Sequence, residues 1–418
     1  MTSPISPAPA QRSFAALRHP GFRAYFIGSA LAMAADNIEH VISYWIMFKK
    51  FQSPLLGGIA VVTHWLPFLL FAVYSGALAD RFDPRRLIQI AMGLFMAVSV
   101  AWGAIFLSDA AEVWHAIVLL TLHGLAGVLW QPAAQLLVHD IVGSEHLQSA
   151  VRLNATGRYL GLLVGPALGA ALLLAFGTSW GLFINAFIYL PLLIWLGVTR
   201  HGAWIAKARR AMSFGDMVQT WRSVLDNRTI VLMIALAGAA SLFVGGGYHA
   251  QMPGYAHALG QYTADFGYSM LLAADATGAL IAGLVLEGRG LLPSRTRTAI
   301  VLAAIWCLAL AGFALSASFY LAITLLFVAG FVELAFSSMA QTLVQLNAPA
   351  AVRGRIIGLF NMSALGMRTF SGVTIGFGGS LIGIHWSLAA SAGVLFVLCV
   401  SLLVAASRPA ALGSPRLP

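Results

Sequence analysis

The sequence predicts an all-α polytopic membrane protein, with twelve transmembrane helices in two pseudo-symmetric six-helix halves. Three observations carry that class. Of the 418 residues, 60% are hydrophobic and only 9% charged, and the mean hydropathy is +0.85. Arginine and lysine collect in alternate junctions between the apolar runs. Short segments recur in the second half of the chain at one offset. The net charge of +10 does not point to nucleic acid, because the basic residues sit at run ends rather than on one patch.

The apolar runs fall at 22–48, 56–79, 87–107, 113–139, 149–175, 179–199, 229–250, 265–286, 298–316, 319–346, 354–383 and 386–406. Each is near the roughly 20 residues that cross a bilayer as a helix, the form that bonds its own backbone inside lipid. The junctions carry turn chemistry: Ser53-Pro54, Asp83-Pro84, Gly143-Ser144, Pro293-Ser294 and Ala348-Pro349. Residues 1–21 are polar, with Pro4, Pro7 and Pro9, and have no signal-peptide core, so the first span is expected to act as the signal. Cys307 and Cys399 lie inside apolar runs and read as small buried hydrophobes.

One set of junctions holds Arg12, Arg18 and Arg23, then Arg81, Arg85 and Arg86, then Arg152, the run from Arg200 to Arg228, then Arg289 to Arg297, Arg353 and Arg355, and Arg408 and Arg416. The other set holds only Lys49 and Lys50. The positive-inside bias therefore puts both termini in the cytoplasm. Expected divisions are a cytoplasmic N-terminal tail (1–21), a first half (22–199), a cytoplasmic linker (200–228), a second half (229–406) and a cytoplasmic C-terminal tail (407–418). Gly76-Ala-Leu-Ala-Asp80 ends the second span and Gly283-Leu-Val-Leu-Glu287 the eighth. Ala134-Gln135-Leu-Leu-Val138 in the fourth matches Ala340-Gln341-Thr-Leu-Val344 in the tenth. Matches at equivalent helices indicate a duplicated unit.

Ionisable residues inside spans are the functional candidates. Asp36, Glu39 and His40 lie mid-way along the first span, three and four residues apart, and so share one helix face. A charge near the midplane costs about 2.5–3.5 kcal/mol even on the lenient insertion scale, so that face points into protein. Either it only locks helices together or it carries protons; two close carboxylates, with His40 to share the proton, suit the second role. Asp275 in the eighth span and Glu333 in the tenth complete the proton-coupling set, with Glu333 opposite Gly127 in the repeat and hence not required by it. Arg158 and Arg368 are the intramembrane cations, each able to pair a carboxylate or hold an anionic substrate group. Arg158 follows Asn154 by one turn. Tyr44, Trp130, Gln131, Ser337 and Gln341 suit the rings and polar rim of an amphipathic organic substrate. His64, His123 and His249 also fall in spans, but without ligand spacing, and no metal site or cofactor is expected.

Gly76-Ala-Leu-Ala-Asp80-Arg81-Phe82-Asp83-Pro84-Arg85-Arg86 resembles the signature loop of the major facilitator superfamily, G-x-L-A-D-R-x-G-R-R, with Asp83 for glycine and an added Pro84. The variant loop, Pro132-Ala133-Ala134-Gln135, Asn185-Ala186-Phe187, Gln345 and Arg353-Gly354-Arg355 resemble the branch of enterobactin exporters and macrolide-efflux-type proteins, although Ala134 stands where that branch often has arginine. The resemblance implies the major facilitator fold. It also implies a conformational latch formed by Gly76, Asp80, Arg81, Arg85 and Arg86 against the eleventh helix at Arg353 and Arg355. Glycines at every fourth position, Gly157, Gly161, Gly165 and Gly169, make a flat packing stripe beside Pro166. The run Gly161, Gly165, Pro166, Gly169 resembles the family's antiporter motif, with Ala170 for its last glycine, and implies proton-coupled export.

No catalytic or nucleotide-binding signature is present, so an enzyme is not expected. The expected function is secondary active export of a small amphipathic organic molecule across a bacterial-type inner membrane, by proton antiport and alternating access. Siderophore export is favoured; multidrug or macrolide efflux and then solute:proton symport are the alternatives. Expected partners are the substrate, protons and the lipid bilayer; the chain is expected to be monomeric.

Overall fold

The computed structural model describes residues 14–51, 54–201, 222–245, 247–260, 264–289, 291–371, 374–375 and 378–407. The expected linker and both tails lie largely outside them. Among these residues the secondary structure is helical throughout. A short 3-10 turn, Ala15–Arg18, leads into α1 (Pro20–Phe51), α2 (Pro54–Arg81), α3 (Pro84–Leu107), α4 (Val113–Ile188) and α5 (Leu190–Val198). There follow α6 (Arg228–Phe243), α7 (Gly247–Ala258), α8 (Ala264–Gly288), α9 (Thr296–Ala314), α10 (Phe319–Asn347) and α11 (Arg353–Asn361). A π-helical segment, Met362–Gly366, precedes α12 (Arg368–Ser371), α13 (Gly378–Ile382) and α14 (Ile384–Ser407).

The long α4 is three rods. Its backbone leaves helical geometry at Gly143 (φ 70°, ψ 175°) and Gly177 (φ 76°, ψ 176°), a positive φ that only glycine adopts cheaply. The breaks separate the expected fourth, fifth and sixth spans. Among the described residues nine stretches are long and apolar enough to cross a membrane, one of them the 49-residue Val113–Gly161, which runs through the Gly143 break.

Three expected spans are not single helices: the sixth, 179–199, is divided at Tyr189 between the end of α4 and α5. The seventh, 229–250, is broken at Gly245 (φ 48°) and resumes as α7 to Ala258, beyond its expected end. Side chains crowd that bend: a Cβ on Gly245 would lie 2.8 Å from Ser371 Oγ. The eleventh, 354–383, is interrupted by the π-helical segment and by the short α12 and α13. Gly366 there sits against the α2 backbone, a Cβ meeting Leu69 Cα at 2.6 Å. A π-segment shifts one backbone hydrogen bond and re-aims the side chains after it, here Arg368.

One apolar core gathers buried residues from 224 to 399 only, including Met233, Trp306, Phe313, Leu326 and Leu388. Two others draw on residues 16 to 196, around Phe22, Ile88, Phe95 and Leu192, and around Ile42, Trp102 and Leu182. Smaller clusters bridge these regions: Tyr159 with Ala279, Ala282 and Leu334, and Phe68 and Val128 with Leu365. Large apolar side chains such as Ile27, Phe71, Ile194, Leu308, Leu321 and Val397 are exposed on the outside, as a lipid-facing surface requires. Cys307 and Cys399 are buried free thiols.

Candidate transport site

A cavity of about 160 Å³ opens between the two regions. Both rods flanking Gly143 line it, through Trp130, Gln131, Asn154 and Arg158, as do α10 through Glu333, Ser337 and Gln341, and α12 through Arg368. Six of the seven residues expected to bind substrate are therefore brought to one space from elements far apart in sequence. Tyr44 lies in α1, but its side chain is outside the described residues. Several buried polar atoms of the lining have no hydrogen-bond partner among the described residues, namely Asn154 Oδ1, Ser241 Oγ, Trp306 Nε1 and Asn361 Nδ2. Buried polar groups are nearly always paired, so such a set is chemistry kept for a ligand or water.

Arg158 and Arg368 both lie within electrostatic reach of Glu333. The Arg368 guanidinium also stands 5.1 Å from the ring centroid of Trp65 on α2. Behind Glu333, the Tyr248 hydroxyl is 3.4 Å from Glu333 Oε2 and 3.4 Å from both Asp275 oxygens. His249 Nε2 is 3.1 Å from Asp275 Oδ2. Asp275 itself is sealed, and Glu333 alone of this pair reaches the cavity.

Asp36, Glu39 and His40 do share a face of α1, but they are not cavity-lining residues. The two carboxylates are not a bare pair either. His123 stands between them, with Nε2 2.6 Å from Asp36 Oδ1 and Nδ1 2.8 Å from Glu39 Oε1. Glu39 also accepts from the Ser99 hydroxyl, to which Asn185 donates at 3.1 Å. His40 Nδ1 bonds the Asp36 carbonyl at 2.7 Å, and its Nε2 faces His64 Nδ1 at 3.3 Å. Sequence spacing missed these partners because they come from α2, α3 and α4, and each histidine alone reads as an isolated hydrogen-bonder.

At one end of the cavity the two regions are tied. Asp80 Oδ1 accepts from Gly354 N at 2.7 Å and Oδ2 from Arg355 N at 3.0 Å, so the carboxylate sits on the N-terminus of α11. A Cβ on Gly76 would collide with the Gly354 carbonyl, so the helices touch backbone to backbone. The repeat partner of Asp80 does the same work: Glu287 accepts from Ser149, at the start of the rod after Gly143. Arg152 in that rod donates to the carbonyls of Leu286, Leu291 and Leu292 at 3.0, 2.7 and 2.6 Å. Gln135 bridges Asn361 at 3.0 Å and Gln345 at 2.9 Å.

The loop arginines are placed differently. Arg85 bonds Asp83, with Nη2 2.6 Å from Oδ2, and donates to the Thr199 carbonyl at 2.5 Å. Arg81 lies over Phe82 at 5.5 Å, and Arg86 is exposed. Arg353 Nη1 is 3.4 Å from His139 Nδ1, and Arg355 Nε is 3.9 Å from Asp80 Oδ2.

The stripe after Gly143 meets α1. A Cβ on Gly161 would lie 3.1 Å from the Ala34 nitrogen, and one on Gly165 2.5 Å from Asn37 Cβ. Gly169 is buried, and the Pro166 side chain is outside the described residues.

A family model described as "Transmembrane secretion effector" matches residues 11–411. The chain belongs to that family of major facilitator superfamily transporters. It is a multi-pass membrane transporter rather than an enzyme. Among curated relatives, the uncharacterised MFS-type transporter YfiS of Bacillus subtilis is 30% identical over 33% of this chain and 32% of its own length. MdtD of Klebsiella pneumoniae, provisionally named a multidrug resistance protein, is 29% identical over 32% of this chain and 27% of its own. The staphyloferrin A transporter of Staphylococcus aureus is 22% identical over 40% and 42%. The match thus spans less than half the length of each curated relative. The solved human organic anion transporter MFSD10 superposes with a TM-score of 0.72 at 14% identity, over 92% of this chain and 99% of its own, which shows the all-helical major facilitator fold.

Proposed function

We propose that the transporter exports a small amphipathic organic molecule, a siderophore by preference, in exchange for protons by alternating access across a bacterial inner membrane. One observation carries the reading: Arg158, Arg368 and Glu333 face a single cavity whose remaining lining mixes aromatic rings with amides. The arginines take acceptor edges of the substrate. Donor groups of the substrate bond the ionised Glu333, so binding requires that its proton leave, and substrate and proton exclude each other. Asp275 and Tyr248 relay the charge state behind it.

The cavity, at about 160 Å³, is smaller than the roughly 300–1,000 Å³ of drug-sized sites. Loading therefore needs the regions to part, the rocking that alternating access supplies. With both termini in the cytoplasm, the tied end at Asp80 and Glu287 is the cytoplasmic gate, held shut. We take the division into two six-helix halves as the moving parts, and the chain to act as a monomer. The name of the staphyloferrin A relative supports an iron-chelator cargo. The aromatic lining and the MdtD relative favour drug efflux as the second reading.

The test is exometabolite profiling of cells with and without the protein, followed by counterflow of each depleted compound in vesicles with an imposed pH gradient. Accumulation driven by the gradient in wild type and lost in Glu333→Gln supports the proposal. Gradient-independent movement, or full activity of Glu333→Gln, refutes it; uptake of structurally unrelated dyes instead selects drug efflux.

A further inference from the structure

The three histidines beside α1 offer more than hydrogen bonds. Their ligating nitrogens, one each from His40, His64 and His123, lie within 4.8 Å of one another, and His123 is buried while the other two are partly exposed. His40 Nε2 and His64 Nδ1 are already 3.3 Å apart. Zinc–nitrogen bonds of about 2.0–2.1 Å at tetrahedral angles put neighbouring ligand nitrogens about 3.3–3.4 Å apart.

The surrounding groups are those that a metal-bound histidine uses. His40 sends Nδ1 to the Asp36 carbonyl, which fixes the ring and turns Nε2 toward His64. His123 holds Nδ1 on Glu39 while Nε2 rests on the more open Asp36. An ion drawing Nε2 away leaves the Glu39–His123 bond intact, the carboxylate–histidine–metal arrangement, and frees an Asp36 oxygen as a fourth ligand.

Charge points the same way. Among the five proposed groups, three neutral imidazoles and two carboxylates carry two negative charges, which attract a divalent cation inside a low-dielectric span, while Arg368 lies within electrostatic reach of His64. Binding releases one proton, from His123 Nε2, and moves the His64 proton from Nδ1 to its other nitrogen.

We propose that His40, His64 and His123, with Asp36 as fourth ligand and Glu39 behind His123, form a binding site for one divalent transition-metal ion of the zinc or cobalt type. Imidazole-rich ligation selects such ions over calcium and magnesium. His64 touches Trp65, with ring centroids 4.6 Å apart, and Trp65 carries Arg368 of the cavity. The site thus lies two side-chain contacts from the cavity. The proposal does not rest on the export reading.

The experiment uses full-length protein without a polyhistidine tag, in detergent, dialysed against Zn2+ or Co2+. The expected result is about one ion per chain, lost in His64→Ala, weakened about 10–100-fold in Glu39→Gln, and unchanged in His385→Gln, whose ring bonds the Ala314 carbonyl elsewhere. Should His64→Ala fail to fold, His64→Cys decides: a ligand at that position gives thiolate-to-cobalt charge-transfer absorption. Absence of saturable binding by wild type, binding undiminished in His64→Ala, or folded His64→Cys without that absorption each overturns the proposal.

Discussion

The molecule holds two clusters of intramembrane acids, and they are built differently. Around α1, Asp36 and Glu39 are drawn onto His123 at 2.6 and 2.8 Å, and hydroxyl and amide partners complete the cluster. Around α10, Glu333 and Asp275 share Tyr248 at 3.4 Å, and Glu333 opens on a cavity that holds two arginines. A charge compensated at short range inside a span is fixed in place, because breaking it strands its partner in low dielectric. A charge held at long range, with cations within electrostatic reach, changes partners cheaply. The first cluster therefore suits a rigid binding site and the second a coupling site.

Two substitutions test that contrast. Glu39→Ala strikes the tight cluster and leaves His123 Nδ1 and Ser99 without their acceptor. It is expected to cost about 3–5 kcal/mol, read as lost thermal stability in detergent; a small change would show that the cluster is not a fixed unit. Glu333→Gln strikes the loose one. Its stability is expected to stay near wild type while pH-gradient-driven transport falls by up to about 100-fold, the upper range of a coupling free energy. A variant that unfolds instead would erase the distinction between the two clusters.

Smaller effects sharpen the rest. Asp80→Asn weakens the charge-assisted bonds to Gly354 and Arg355, each worth about 1.5–3 kcal/mol. Turnover is expected to fall several-fold with substrate affinity unchanged, measured as kcat against KM, since the contact lies at the tied end and not in the cavity. Gly165→Ala forces a methyl against Asn37 Cβ and is expected to cost about 1–3 kcal/mol by overpacking, read from the melting temperature. Arg86→Gln, exposed in the same loop as Asp80, is expected to shift stability by no more than about 0.5 kcal/mol, which separates the carboxylate from the charges around it.

Much of this architecture was legible in the chain. Apolar run length marked the helices, Gly143 and its neighbour Ser144 marked a break, and the signature loop marked the contact of Asp80 with the N-terminus of α11, while the tie of Glu287 to Ser149 showed only in the structure. The breaks at Gly245 and within 362–366 were hidden, because hydropathy is blind to whether a long apolar run is continuous. The candidate site was half visible. Arg158, Arg368 and Glu333 stood out as charges in apolar spans, and they meet. His64, His123 and Tyr248 carried no local pattern, since their partners lie 24 to 87 residues away.

The chain alone determined that this is a membrane-embedded, all-helical scaffold with a small number of costly intramembrane charges, because transfer free energy is additive along the sequence and needs no neighbours. Only tertiary structure decided which charge answers which. Pairing depends on angles and distances between helices, and a shift of an ångström or two turns a satisfied carboxylate such as Glu39 into an available one such as Glu333.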